Sequence, residues 1–177
     1  MRQDAIKSLT AFVESGELDS SESPIGTKSS SILTVVREHT RGFKETNVNI
    51  MKAIIHLFIA LCDYHAASEC QIDERVMKDG AEIAVQKISD RKLCISCKSL
   101  LTRLCVVSPP HAAVSDAFKR IKSIKSPVAH LEYLQWVGDF CNDFGAASLG
   151  PGISEIALSM IDVSIDAHRA GNTYRPV

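Results

Sequence analysis

Apolar residues along this chain recur at helical spacing. Between 46 and 65, Met51, Ile54, Ile55, Phe58, Leu61 and Cys62 form one stripe, and Ile50 and Leu57 cover a second side. A helix apolar on two sides is packed between neighbours. Between 91 and 106, Leu93, Cys97, Leu100, Leu101 and Leu104 fall on one face, and Ile153, Ile156, Ala157, Met160 and Val163 repeat the idea further on. The pattern predicts eight helices, over 2–15, 29–40, 46–65, 72–88, 91–106, 110–121, 128–144 and 152–167. There is little of the alternating β-branched pattern that a sheet needs. Pro24, Pro109, Pro110, Pro127, Pro151 and Pro176 stand between periodic segments and punctuate them.

Start and stop signals agree with these spans. Ser29 and Ser30 precede Ile32, Thr46 or Asn47 can cap the third helix, and Asp90 can cap the fifth. Ser108 and Ser126 each stand before a proline, an N-cap followed by the first helical position. Gly145 and Gly150 bracket the break before the eighth helix. Helices two and three, four and five, and six and seven then pair as hairpins, and the eighth opens a fourth. The hairpins begin near 29, 72, 110 and 152, a step of about forty residues, which is the period of two-helix HEAT units. The expected fold is an all-α HEAT-repeat solenoid of antiparallel hairpins, truncated at its C-terminal end. Residues 1–28 read as an N-terminal helix with a Ser-rich connection, and 29–177 as the repeats.

Composition narrows the function classes. A chain of 177 residues with 45% hydrophobic and 23% charged residues is one ordinary globular domain. A net charge of -1 argues against bulk nucleic-acid binding, so any electrostatic role must lie in how charge is arranged. The longest apolar candidate for a membrane span, 53–62, is interrupted by His56 and followed by Asp63, and the N-terminus lacks the apolar run of a signal peptide. The expectation is a cytoplasmic protein whose six cysteines are free thiols.

Charge is distributed unevenly between the two edges that such a stack would have. Turns within hairpins carry Arg37, Arg41, Lys44 and Lys52, then Lys87, Arg91 and Lys92, then Lys119, Arg120, Lys122 and Lys125, then His168, Arg169 and Arg175. Only a few acids are mixed in: Glu38, Glu45 and Asp90. The opposite edge holds Asp63, Glu69, Asp73, Glu74, Asp139, Asp143 and Glu155. Lys87, Lys119 and Arg37 sit near helix C-termini, where positive charge answers the helix dipole. Lys44, Arg91, Lys92 and Lys125 sit at helix starts, where it does not, and this points to a basic edge that steers an acidic partner.

The turn sequences carry a resemblance. The string Gly42-Phe43-Lys44-Glu45-Thr46-Asn47, followed by Val48-Asn49-Ile50, resembles the second intra-repeat turn of TOG domains. These are the tubulin-binding HEAT arrays of the ch-TOG/Minispindles class of microtubule polymerases. Residues 87–92 look like the third turn, 123–127 like the fourth, and 171–175 like the start of the fifth. The helix 131–136 with Asp143-Phe144-Gly145 is similar to that family's as well. The register runs from about 29 to 175, and the third TOG domain of an array is the nearest type. The resemblance implies docking of the turn edge on αβ-tubulin or the microtubule lattice. Phe43 would be the apolar contact, Lys44, Arg91, Lys92, Lys125 and Arg175 would face tubulin's acidic surface, and Asn47 would hold the turn. It further implies sister TOG domains in a longer chain, and a role at microtubules and spindle poles.

Catalytic chemistry has little support in the sequence. Cys94 and Cys97 form a CxxC, but no second pair or zinc-spaced histidines follow, so buried small hydrophobes are the better reading. The scattered histidines include no metal motif, and Tyr133, Trp136 and Phe140 read as core. The expectation is a non-enzymatic tubulin-binding module without metal or cofactor. The alternatives are a general HEAT-repeat interaction scaffold and an enzyme with a cysteine nucleophile.

Overall fold

A computed structural model of the chain describes residues 2–16 and 25–152, together with positions 154, 157, 158, 161 and 165. Among these residues the structure is all-helical and contains no strand. Seven α-helices follow in order: α1 (Arg2–Glu14), α2 (Ile25–His39), α3 (Val48–Ala67), α4 (Glu74–Lys87), α5 (Cys94–Val107), α6 (Pro110–Ile121) and α7 (Pro127–Phe144). A 3-10 helix, Ala146–Gly152, comes next. The five single positions beyond it are also helical, within the span expected of an eighth helix, although Ala157, placed on its apolar stripe, is exposed.

The helix ends follow local chemistry, with three corrections. Asn47 caps α3, its side-chain oxygen accepting from the Asn49 and Ile50 N–H groups at 2.9 and 3.3 Å. Ser126 caps α7 by accepting from Ala129 N–H at 3.3 Å, with Pro127 at the first helical position. Helix α2, however, begins at Ile25, so Ser29 lies inside it, buried, with its hydroxyl 2.8 Å from His65 Nε2. Ser108 closes α5 instead of opening α6: its hydroxyl donates to the Leu104 carbonyl at 2.6 Å, and Pro109 is the N-cap of α6. Asp90 makes a turn ahead of α5, accepting from Lys92 N–H at 2.8 Å, while Leu93 occupies the cap position.

The helices form two rows, α1, α3, α5 and α7 in one and α2, α4 and α6 in the other. Packing is most extensive between α1 and α3, α3 and α5, α4 and α5, and α4 and α6. Polar contacts between successive helices of a row recur at similar sequence separations. Arg2 pairs with Glu45, 43 residues on, and Arg37 with Asp79, 42 residues on. Arg103 pairs with Asp63 at a separation of 40, Arg120 with Glu82 at 38, and Lys98 with Gln135 at 37. Direction is fixed where one pair of helices makes several contacts: Cys94 meets Glu132, Lys98 meets Gln135 and Thr102 meets Trp136, so α5 and α7 advance together and run parallel. The start of α1 meets the turn before α3 through Arg2 and Glu45, and the last turns of α3 and α5 meet through Asp63 and Arg103, the same arrangement along the row. Exposed pairs of this kind contribute about 0–1 kcal/mol each, so they mark register more than they supply stability.

Burial supplies the stability. Helix α3 is the centre of the core: Ile54, Ile55, Leu57, Phe58, Leu61 and Cys62 are all fully buried. By length and composition α3 could cross a membrane, contrary to the shorter apolar run read from the sequence, yet most of it is covered by neighbouring helices. Gly80 lets α4 approach closely, since a Cβ there would stand 3.1 Å from Leu104 Cδ1 and 3.2 Å from Phe58 Cδ1. Trp136 and Tyr133 are core residues, as expected, each with its polar tip satisfied. Trp136 Nε1 donates to Thr102 Oγ1 at 2.9 Å, and the Tyr133 hydroxyl donates to the Val114 carbonyl at 3.0 Å.

Candidate functional site: the basic turn edge

Because the helices of one row run parallel, the turns that precede α3, α5 and α7 lie at the same end of the stack. The connections after α3 and α5 meet at the other end, where Ile72 N–H donates to the Val107 carbonyl at 2.9 Å.

The turn before α3 is the most strongly shaped. Arg41, Gly42 and Phe43 all have positive φ, at 53°, 73° and 65°. Such a run is costly for residues with a Cβ and persists only where packing compensates it. Gly42 N–H donates to the Arg37 carbonyl at 2.8 Å, closing α2, and Phe43 N–H donates to Thr40 Oγ1 at 3.3 Å. The chain thereby folds the Phe43 ring back into the core, only 6% exposed, edge-on to Phe58 with centroids 5.6 Å apart. This corrects the sequence expectation. Phe43 anchors the turn from inside and offers no apolar contact to a partner.

The cations stand outside. Lys44, Arg91, Lys92 and Lys125 are exposed, and none forms an ion pair among the described residues. Arg175 lies outside the described residues, as do His168 and Arg169 of the expected fifth turn. Other cations of this edge are engaged: Arg37 with Asp79 at 2.9 Å, Arg120 with both Glu82 and Asp116 at 2.6 Å, and Lys122 over the Phe118 ring at 4.6 Å.

The acids in these turns face the backbone. Glu45 Oε1 accepts from Thr46 and Asn47 N–H at 3.0 and 3.2 Å, and its other oxygen meets Arg2. The Asn47 N–H bond, helped by the Thr46 N–H and the Arg2 and Arg41 charges, holds its carboxyl below the usual range. Asp90 is spent on Lys92 N–H. These bonds hold Glu45 and Asp90 in place without cancelling their charge, so the edge is basic by number: its cations outnumber its acids, and Lys44, Arg91, Lys92 and Lys125 remain in solvent. The far end is more nearly balanced: Asp63 pairs with Arg103, Glu74 with Lys78, and Asp73 caps α4 through Arg75 N–H.

Two features of this edge lie outside the stripes that the sequence pattern singles out. Ile95 is 83% exposed at the start of α5, and Val128 is 52% exposed at the start of α7. Ile95 falls off the Leu93–Cys97–Leu100 stripe, which is the signal that identifies it. Between the turns that precede α5 and α7 lies an open cavity of about 530 Å³, lined by Ile88, Ser89, Arg91, Cys94, Ser126, Val128, Leu131 and Glu132. Glu132 on its wall is compensated, meeting Lys98 Nζ at 2.6 Å and accepting from Cys94 Sγ at 3.2 Å. The Lys98 contact is the main reason its carboxyl titrates low.

Reactive chemistry is poorly provided for. Burial pushes the Cys62, Cys97 and Cys105 thiols up to about 12, and burial together with Glu132 raises Cys94 to about 11. None of these four supplies a thiolate near neutral pH. No group of three metal-ligating side chains occurs among the described residues. At the fully buried His65, burial lowers the pKa more than the nearby backbone of Cys70 and Gln71 raises it, and Nδ1 has no hydrogen-bond partner among the described residues.

Comparison with protein-family models, with curated proteins and with solved structures yields no match.

Proposed function

We propose that the chain is a HEAT-type solenoid module, without enzymatic activity, that docks an acidic protein partner along its turn edge. The observation that carries this reading is the segregation of charge there, with Lys44, Arg91, Lys92 and Lys125 exposed and unpaired while Glu45 and Asp90 cap backbone. The separations of about forty residues between same-row contacts support the repeat reading. A rigid edge of this kind costs little ordering entropy on binding, and its charge raises the association rate.

The partner proposed from the resemblance of the turns is αβ-tubulin or the microtubule lattice. The module would then belong to a microtubule-associated protein of the cytoplasm that promotes microtubule growth and spindle organisation. The burial of Phe43 favours a second reading, a general repeat scaffold without tubulin specificity, since it withdraws the apolar contact that the resemblance assigns. Gel filtration with purified αβ-tubulin at low and moderate salt, with a microtubule pelleting control, separates the two. The tubulin reading expects a salt-sensitive complex, weakened at least tenfold by the double variant Lys44→Glu, Lys92→Glu with helicity unchanged. Unchanged binding of the double variant, or no complex in either assay, would leave the general scaffold.

A further inference from the structure

Four exposed cations could attract any acidic surface. The cavity beside Arg91 is more selective, because it combines charge with apolar surface. Its accessible apolar surface comes from the half-exposed Val128 and the partly buried Leu131 on α7, since Ile88, at its base, is fully buried. Arg91 forms part of its wall, and Lys92 and Lys125 are adjacent in sequence to wall residues Arg91 and Ser126. Glu132 is the one carboxylate in the wall, and Lys98 neutralises it.

We infer that this cavity captures an extended acidic segment of a partner by inserting one of its aliphatic or aromatic side chains, with flanking carboxylates set against Arg91, Lys92 and Lys125. The occupant follows from two features of the site. A volume of about 530 Å³ accommodates one large side chain with adjoining backbone, whereas a folded domain needs a broad flat surface. The unpaired cations beside an apolar lining demand negative charge next to the inserted group. An acidic chain without such a group would gain the electrostatic attraction but leave the apolar lining wet. The inference deepens the turn edge as a docking surface, and it holds for a linear acidic segment whatever protein carries it.

The test uses two fluorescein-labelled heptapeptides with the full chain: seven glutamates, and six glutamates around a central phenylalanine. Fluorescence anisotropy at moderate salt should show the phenylalanine peptide bound about tenfold more tightly. Val128→Glu, at an exposed first-turn position where an acidic residue suits the helix dipole, should abolish that difference while circular dichroism stays unchanged. Arg91→Glu should weaken both peptides. Lys7→Glu, on α1, should leave both unaffected. Equal affinity for the two peptides, insensitivity to Val128→Glu, or no binding of either would overturn the inference. Tubulin binding that survives Val128→Glu, with peptide discrimination lost, would keep the cavity and place tubulin on the rest of the edge. Peptide discrimination without any tubulin complex would keep the cavity and remove tubulin.

Discussion

Phe43 shows how a residue can be placed correctly in a turn and still be misread in role. An aromatic between Gly42 and Lys44 in a polar loop reads from sequence as exposed. Only the three successive positive φ values turn its ring inward onto Phe58. Sequence periodicity does not encode such a run, because it is set by packing on another helix. Phe43→Ala should therefore lower unfolding free energy by about 3 kcal/mol, measured by urea titration, as expected of a core aromatic. The lysines were legible for the opposite reason: nothing in a helix start favours positive charge, so their position carried information. His65 was not legible, since its partner Ser29 belongs to a segment whose helix begins earlier than its capping residues indicate. Burial lowers the His65 pKa below its ordinary 6.5, so the folded state binds a proton less readily than the unfolded chain. Its contribution to stability is complete above that value and is lost as pH falls below it, by at most about 1.4 kcal/mol per pH unit. Urea midpoints from pH 7.5 to 5 should decline less steeply in His65→Leu than in the parent, with any His56 response common to both.

At the level of elements, seven helices follow the apolar spacing closely because each buries a stripe or two sides, and burial is what spacing reports. The misplaced ends, at Ser29 and Ser108, fail where a serine has a competing bond available inside the fold. Gly80 is the clearest instance of information stored elsewhere. In sequence it is a weak point in α4, costing about 1 kcal/mol in propensity relative to alanine. In the fold it is the clearance that lets α4 lie against Leu104 and Phe58, both fully buried and unable to withdraw. Gly80→Val should be destabilising by about 2 kcal/mol or more, despite the gain in backbone stiffness. A thermal melt at or above the parent midpoint would contradict that account.

For the whole molecule, the two rows make stability unequal along the stack, since each helix is supported mainly by its row neighbours and by the facing row. Helices α3 and α5, with neighbours on both sides in their row, should show the slowest amide hydrogen exchange. Helix α2, whose packing is sparser, should exchange faster. Uniform protection across all seven helices would argue for a single all-or-none unit. The parallel rows also fix a pitch. Neighbouring helices sit about 8–10 Å apart, so the exposed cations of successive turns recur at that interval. This is close to the distance over which salt at about 0.15 M screens charge, roughly 8 Å. In dilute buffer an approaching anion feels the turns as one pooled field. At cellular ionic strength it meets them as separate teeth of a comb, and only a partner whose own negative groups are spaced to match can engage more than one at a time.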